Sequence, residues 1–303
     1  MPLAAVLYLR ALHDGAIHGA TGQHAAGFWL NSWRDIAPRV GDTLSVGDML
    51  HDNRPLRQFT VSPLLGPANI RHGVTLVAAG DEARLRLTLL DDREQAGLLA
   101  DWLARLPAEA TIGGVGWRFE GWALAPAEHP GAGVATYADL RDRYRGQPPT
   151  RGRWELTFES PTAFHLQDGA VLPFPLPGLL VAGWLNRWNE YSPYPLPGAA
   201  DTTADFLRRA EVGLRVSAYR LKTVSFRFRH PGPDGRRTNE VPQIGCVGEL
   251  ALDGAALSPA DRAVVSTLVD FAFFCGTGHH TAMGMGQTGV IRNQELGIRN
   301  ERE

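Results

Sequence analysis

Residues 258–292 read SPADRAVVSTLVDFAFFCGTGHHTAMGMGQTGVIR, and this stretch decides the fold. Ser258, followed by Pro259 and Asp261, has the pattern of a helix N-cap with proline in the first helical position. Apolar residues then recur at helical spacing and form one stripe, which consists of Val264, Val265, Leu268, Phe271 and Ala272. The stretch therefore predicts a buried helix, a glycine-rich loop and a last strand over residues 287–292.

Upstream of that helix, the second half of the chain has the elements that would complete one domain. The pattern predicts strands over residues 154–158, 212–228 and 244–252, and a helix over residues 179–189. With the last helix and strand, the order is strand, helix, strand, strand, helix, strand. This order is typical of a ferredoxin-like domain.

The first half repeats that order. Strands are predicted over residues 6–12, 58–65, 84–90 and 114–124, and helices over residues 24–36 and after Asp92. Residues 84–90 alternate cleanly, with Leu85, Leu87 and Leu89 on one face. We expect an α+β protein of two tandem ferredoxin-like domains, residues 1–126 and 153–303, joined by a linker over residues 127–152.

Composition narrows the class of protein. The 303 residues are 44% hydrophobic and 20% charged, as in a folded soluble protein, and no run of eighteen apolar residues predicts a membrane span. Only Cys246 and Cys275 are present, without metal-binding spacing or a disulfide framework. We expect a reducing, cytoplasmic setting, no cofactor, no metal site and no membrane partner.

The glycine-rich loop admits two interpretations from its residues alone. Gly276, Gly278, Gly284 and Gly286 let the backbone turn tightly and approach a ligand closely, and free N–H groups there would hold phosphate oxygens. A simple turn explains the same glycines equally well. The loop is neither a Walker loop, since Gly-Lys-Ser/Thr is missing, nor a Rossmann fingerprint, since it follows a helix.

Three sets of residues resemble a known family. The loop, with Gly276-x-Gly278 and TAMGMG over residues 281–286, resembles the C-terminal signature of the repeat-associated mysterious proteins (RAMPs), and especially of CRISPR repeat-processing endoribonucleases. Residues 156–164 (LTFESPTAF), Leu172-Pro173 and Leu185-x-x-Trp188-Asn189 resemble the start of that family's C-terminal domain. His51 followed by FTVSP over residues 59–63 is similar to its N-terminal region. The family's fold is a pair of ferredoxin-like domains.

The resemblance implies metal-independent cleavage of CRISPR repeat RNA that leaves a 2′,3′-cyclic phosphate and a 5′-hydroxyl. Such chemistry needs a proton acceptor, a proton donor and a cation at the phosphate. His51 falls where similar family members carry a catalytic histidine, and Arg57 falls where they carry a basic residue. A surface histidine and a solvated arginine are the alternatives, and Arg54 is a second choice for the cation.

One position departs from a common pattern of the family. Some relatives carry a tyrosine on the preceding helix as a partner to the histidine, and the matching position here is Trp33. Tryptophan has no proton that titrates in this way. His18 and His24 are the nearest substitutes in sequence, but a structural or solvated role is favoured for both.

The expected RNA surface lies on a basic segment and the loop. Residues 208–240 hold nine basic and three acidic residues, a net charge of +6 in a chain whose total is −2. Arg227 and Arg229 alternate with Phe226 and Phe228, and so share one strand face. The full set of expected RNA contacts is Arg227, Arg229, Arg236, Arg237, Gly276, Gly278, His279, His280, Gly284 and Gly286. A solvated strand face is the alternative for the arginines.

Three functions remain open at this point. The first is a CRISPR RNA-processing nuclease, a monomer or homodimer whose partner is repeat RNA. The second is a non-catalytic RAMP subunit that binds guide RNA together with the proteins of a CRISPR effector complex. The third is a ferredoxin-like module for a small molecule or a protein, against which the basic segment argues weakly.

Overall fold

The computed structural model describes residues 1–36, 56–66, 70–71, 73–90, 95–166, 168–196, 202–231 and 238–291. Both cysteines are buried free thiols. None of the helices in these ranges combines the length and the apolar character needed to cross a membrane.

The first half of the chain forms a main sheet, a smaller three-stranded sheet and two helices. Its elements in order are β1 (Leu3–Ala11), β2 (Gly15–His18), α1 (Thr21–Ile36), β3 (Phe59–Val61), β4 (Ile70–Arg71), β5 (Val74–Val77), β6 (Glu82–Leu89), α2 (Gln95–Ala104), β7 (Glu109–Ile112) and β8 (Val115–Ala123). The main sheet has the order β3-β6-β1-β8-β7, and its pairs are antiparallel. The first four strands in this order follow ferredoxin-like topology, which confirms the predicted fold class.

The second half repeats the topology. Its elements are β10 (Arg153–Thr162), β11 (Phe164–His165), β12 (Val171–Leu172), α4 (Pro177–Tyr191), α5 (Thr203–Gly213), β13 (Arg215–Pro231), β14 (Thr238–Asp253), α6 (Pro259–Cys275) and β15 (Thr288–Ile291), with α3 described below. The sheet order β13-β14-β10-β15 is the same permutation as in the first half. Ser258 caps α6 as predicted, since its side chain accepts a hydrogen bond from the Asp261 N–H.

The strand predicted over residues 212–228 begins later than expected. Residues 203–213 form helix α5, whose N-cap Thr202 accepts a hydrogen bond from the Asp205 N–H, and β13 starts only at Arg215. The α5 sequence TADFLRRAEVG buries only Phe206, Ala210 and Gly213, so its apolar stripe is too sparse to stand out in the sequence.

The segment expected to link the domains contains regular structure. Strand β9 (Gly133–Val134) pairs with β1, and helix α3 (Tyr137–Asp142) buries Tyr137 and Leu140. The Tyr137 hydroxyl donates to the Leu90 carbonyl at 2.7 Å, and both side chains belong to the core of the second half. Residues 133–142 therefore contact both halves. The domain boundaries stay a prediction.

A buried arginine joins the halves. Arg86 of β6 is 4% exposed and donates hydrogen bonds to the Gly131 carbonyl, the Gln287 side-chain oxygen and the Phe273 carbonyl, at 2.7, 2.7 and 2.5 Å. Its guanidinium also lies 4.4 Å from the Phe273 ring centroid. Burial lowers the pKa of Arg86 to about 10, so it remains charged at neutral pH.

A second contact between the halves joins main chain to main chain. A Cβ atom added to Gly22 of α1 would lie 2.4 Å from Gly284 Cα and 2.7 Å from the Met283 carbonyl oxygen. Gly284 has a φ of +97°, in the region that favours glycine. Helix α1 and the glycine-rich loop can therefore touch only because both residues lack a side chain.

Replacing Gly22 with alanine should destabilise the protein by about 1–3 kcal/mol, because the new methyl group must push the two main chains apart. Gly27 of the same helix has no atom within 4 Å of an added Cβ. Gly27→Ala should therefore stabilise the protein by about 0.5–1 kcal/mol through helix propensity. Urea unfolding of both variants checks this pair, and a shift of the same sign in both would contradict the steric argument.

Replacing Arg86 with methionine should lower the free energy of unfolding by about 2 kcal/mol, because three buried acceptors lose their donor. Arg118→Met is the matched control, since Arg118 is exposed on β8 and forms a surface ion pair with Glu109. We expect the control to change stability by less than about 0.5 kcal/mol. An Arg86→Met protein as stable as the parent would mean that desolvation of the guanidinium outweighs its hydrogen bonds.

Candidate RNA-binding site

Four segments meet at a small apolar cluster, called here the junction cluster. Ala163, Phe228 and Met285 are its buried members, and the half-buried Ala20, Val171, Phe226 and Met283 pack against them. These residues come from the start of α1, the β10–β12 region, the long strand β13 and the glycine-rich loop. The cluster therefore fixes where the loop lies relative to the basic strand.

The glycine-rich loop is hydrogen-bonded to the rest of the protein. The Thr277 N–H donates to the Gly286 carbonyl at 2.8 Å, the His279 N–H to the Ala163 carbonyl at 3.0 Å and the Gly286 N–H to the Pro161 carbonyl at 2.9 Å. The Thr277 hydroxyl also accepts from the Trp184 indole at 3.0 Å. These amides hold the loop closed, so they are not available to phosphate in this conformation.

The fold itself explains why glycine occupies the four loop positions that were predicted to contact RNA. All four have positive φ, and Gly276, Gly284 and Gly286 are buried. A Cβ at Gly278 would lie 2.2 Å from the Ala163 carbonyl oxygen, and one at Gly286 would lie 2.1 Å from the Thr277 carbonyl oxygen. The close approach that the glycines permit is an approach to the protein's own main chain. RNA contact through them stays a prediction.

Three histidines meet beside the junction cluster. The ring centroids of His165 and His279 are 4.1 Å apart, and those of His279 and His280 are 4.5 Å apart. His280 adopts a left-handed conformation with φ 53° and lies 5.2 Å from the Phe228 ring. His279 and His280 were predicted to contact RNA, whereas His165, which lies far away in the chain on β11, was not.

His279 is the most buried polar group of the three. Both of its ring nitrogens are shielded from solvent and have no hydrogen-bond partner among the described residues. Burial, with smaller effects from His280 and His165, lowers the pKa of His279 to about 3. The ring is therefore neutral at physiological pH and offers no positive charge to a phosphate.

Arg227 and Arg229 of β13 share one acidic partner. Arg227 Nη1 lies 2.9 Å from Glu240 Oε2, and Arg229 Nε lies 3.5 Å from Glu240 Oε1. Phe226 and Phe228 belong to the junction cluster, which confirms the predicted division of the strand into a basic and an apolar side. Arg236 and Arg237 lie outside the described residues.

Strand β13 is anchored to helix α1 at these arginines. The Gln23 side-chain oxygen accepts from the Arg229 N–H at 2.9 Å, and the Ala20 N–H donates to the Arg227 carbonyl at 3.2 Å. The main chain of the basic strand is thus held by the first half of the protein.

The net charge of +6 counted over residues 208–240 is larger than the net charge of the protein surface that these residues help to form. Arg208 pairs with Asp205 at 2.9 Å, and Arg209 pairs with Asp261 at 2.9 Å. Both acids lie outside the counted segment, so the sequence window could not include them. Arg215, Arg220 and Lys222 are exposed on β13 as well.

Of the two predicted catalytic residues, the structure describes one. His51 lies outside the described residues, as does Arg54. Arg57 is half-buried and comes two residues before β3, and the neighbouring Leu56 carbonyl accepts a hydrogen bond from the Tyr191 hydroxyl of α4. The segment that leads into β3 is therefore fixed to the second half of the chain.

The residue at the family's tyrosine position is a core residue. Trp33 is 1% exposed and stacks on Trp102, with ring centroids 5.8 Å apart. The two substitutes considered from sequence are a structural pair, because His24 Nε2 lies 2.8 Å from the carbonyl oxygen of the exposed His18. Trp33 therefore supplies no acid or base to a catalytic histidine.

Comparison with known proteins agrees with these observations. The family model described as CRISPR-associated endoribonuclease Cas6 matches residues 156–288. The structure titled Thermus thermophilus Cas6 (TTHB231) is 26% identical over 96% of this chain and 98% of that chain, with a TM-score of 0.68. The Cas6 (TTHB231) product complex is also 26% identical, over 96% of this chain and 100% of that one, with a TM-score of 0.71.

A further Cas6 structure shares the fold. The Cas6 (TTHA0078) product complex is 24% identical over 96% of this chain and 100% of that chain, with a TM-score of 0.67. The search of curated proteins found no match. The family match over the second half, the two ferredoxin-like sheets and the likeness to Cas6 structures along nearly the whole chain together support a CRISPR repeat-processing protein of the RAMP type, similar to the Cas6 endoribonucleases.

Proposed function

We propose that this protein cleaves CRISPR precursor RNA within the repeats and so produces mature guide RNA. The observation that carries the proposal is the family match over residues 156–288. The likeness to a Cas6 product complex over 96% of the chain supports it, because the whole of that protein has its counterpart here.

The proposed chemistry uses no metal ion. His51 takes the proton from the ribose 2′-hydroxyl, the 2′-oxygen attacks the adjacent phosphorus, and the 5′-oxygen leaves with a proton. Arg57 stabilises the charge that develops on the phosphate oxygens. The products are a 2′,3′-cyclic phosphate and a 5′-hydroxyl. The hydrogen bond from Tyr191 to Leu56 supports the role of Arg57, because it holds the neighbouring main chain in place.

The proposed RNA path follows the basic side of β13 and the surface of the glycine-rich loop. Arg227, Arg229, Arg236 and Arg237 contact phosphates, and the exposed groups of the loop contact the adjoining nucleotides. Support comes from the junction cluster, which places strand and loop side by side. The protein acts in the cytoplasm as a monomer or homodimer.

One observation favours a second candidate function. Trp33 lies in the core and carries no group that could serve the histidine, so a partner acid is still to be identified. A subunit that binds guide RNA inside a CRISPR effector complex, without cutting it, needs no such acid.

We expect His51→Ala to abolish or greatly slow cleavage of labelled repeat RNA in EDTA, while RNA binding persists. Loss of a general base or acid typically slows a reaction by about 10²–10⁴-fold. Arg57→Ala should slow the same step, and Arg118→Ala is the control because Arg118 is exposed on β8. The product ends are identified by two reactions: a kinase should phosphorylate the 5′-hydroxyl end directly, and the 2′,3′-cyclic phosphate end should resist ligation.

The outcomes separate the candidates. Equal rates for the parent and His51→Ala would move the chemistry to another residue. Tight binding without any cut by the parent would support the guide-binding subunit instead. A cut that requires added Mg²⁺ would overturn the metal-independent mechanism.

Because Arg227 and Arg229 share the Glu240 carboxylate, two substitutions with opposite expected effects on RNA affinity test the proposed RNA path. Arg227→Ala should weaken repeat-RNA binding and lower the slope of log K against log salt by about one, because one phosphate contact is lost. Glu240→Gln should strengthen binding, because it frees Arg227 and Arg229 from their acidic partner. Filter binding over a salt series measures both, with Arg118→Ala as control. Unchanged affinity in both variants would exclude this strand from the path.

A further inference from the structure

The three histidines beside the junction cluster form a group that RNA cleavage does not use. His165, His279 and His280 each offer one ring nitrogen, and these three atoms lie within 4.8 Å of one another. Among the residues that the structure describes, these are the histidine, cysteine or acidic side chains whose ligand atoms lie close enough together to hold a metal ion. The group contains no carboxylate and no thiol, so its donors are all imidazoles.

We propose that His165, His279 and His280 bind one transition-metal ion that prefers imidazole nitrogen, with Zn²⁺ as the first candidate.

The spacing of the rings fits such an ion after a small rearrangement. Nitrogen ligands lie about 2.0–2.1 Å from Zn²⁺, which in tetrahedral geometry places them about 3.4 Å from one another. The ring nitrogens now lie within 4.8 Å of one another, so they must approach by up to about 1.4 Å to bind such an ion. His165 is exposed on a short hairpin, so side-chain rotation at this residue can supply much of the closure.

The state of His279 is the second observation that points to a ligand. A buried polar group without a hydrogen-bond partner is costly and needs an explanation. Both ring nitrogens of His279 are in that position, although its ring lies between two other imidazoles. A metal ion held by the three rings would give one of these nitrogens a partner.

The surroundings are those of a formed site. The left-handed His280 is held by the loop, since its carbonyl accepts from the Met283 and Met285 N–H groups at 2.9 and 3.2 Å. The Phe228 ring covers one side, 5.2 Å from the His280 ring. Three imidazoles leave one coordination position for water, which can enter on the side of the exposed His165.

A bound ion would connect the hairpin of β11 and β12 to the glycine-rich loop. This connection could not be predicted from the sequence, because the spacing between His165 and the His279-His280 pair matches no short metal-binding motif. The inferred ion takes no part in the proposed cleavage, and for His279 and His280 it is an alternative to direct RNA contact.

The test measures metal uptake without RNA, so its outcome does not depend on the proposed nuclease activity. The full chain is prepared without a histidine tag, stripped with EDTA and titrated with Co²⁺ and then with Zn²⁺. We expect one equivalent of Co²⁺ with the visible absorption of a low-coordinate nitrogen site, and its displacement by Zn²⁺. Zn²⁺ should also raise the melting temperature, because it binds the folded state.

Two variants locate the site. His165→Ala removes an exposed ligand and should weaken Zn²⁺ binding by at least about 100-fold, since loss of even an outer-shell partner costs about 10–100-fold. His280→Asn should do the same, and asparagine tolerates the left-handed backbone at this position. His18→Ala, a change at another exposed histidine, should bind Zn²⁺ as the parent does.

Circular dichroism of the metal-free variants shows whether each is folded. No uptake of Co²⁺ or Zn²⁺ by the parent at micromolar free metal would overturn the proposal. Equal uptake by the parent and a folded His165→Ala protein would also overturn it, since the ion would then be bound elsewhere.

Discussion

The contact between Gly22 and Gly284 is the constraint on which the rest of the site depends. Two main chains can pass this closely only where neither residue carries a Cβ atom. The contact sets the distance between the start of α1 and the glycine-rich loop. Gln23, the next residue of α1, then holds the main chain of β13 at Arg229. The relative positions of the glycine-rich loop, helix α1 and strand β13 therefore depend on this one contact.

Much of the fold follows from patterns that are local in sequence. The alternation of Leu85, Leu87 and Leu89 and the stripe of the last helix each report a buried face, and the Ser258 cap marks where that helix begins. Elements with little apolar surface could not be recognised in this way. Helix α5 and the short strand β2 belong to this group, because they are held by segments distant in sequence: β2 pairs with β5, and Arg209 of α5 pairs with Asp261.

The candidate site was harder to predict because its parts come together only in the folded chain. The loop and the alternation of Arg227 and Arg229 with two phenylalanines are visible in sequence. The partners Asp261 of Arg209 and His165 of His279 are not, since nothing local connects them. Charge counted along a segment says little about charge on a surface when acids from other elements lie against it.

The buried Arg86 has a consequence for how the protein is made. Its strand, β6, leaves the ribosome early, but two of its acceptors belong to Phe273 and Gln287, close to the end of the described chain. Until those residues are synthesised, the centre of the first sheet holds a cation whose hydrogen bonds are incomplete. Although its strands and helices are contiguous in sequence, the first half cannot complete these hydrogen bonds before Phe273 and Gln287 have been synthesised. A chain terminated before Phe273 would lack these two hydrogen-bond acceptors permanently. Its first sheet would contain a buried cation without its full set of partners, and quality-control proteases would encounter an incompletely stabilised domain.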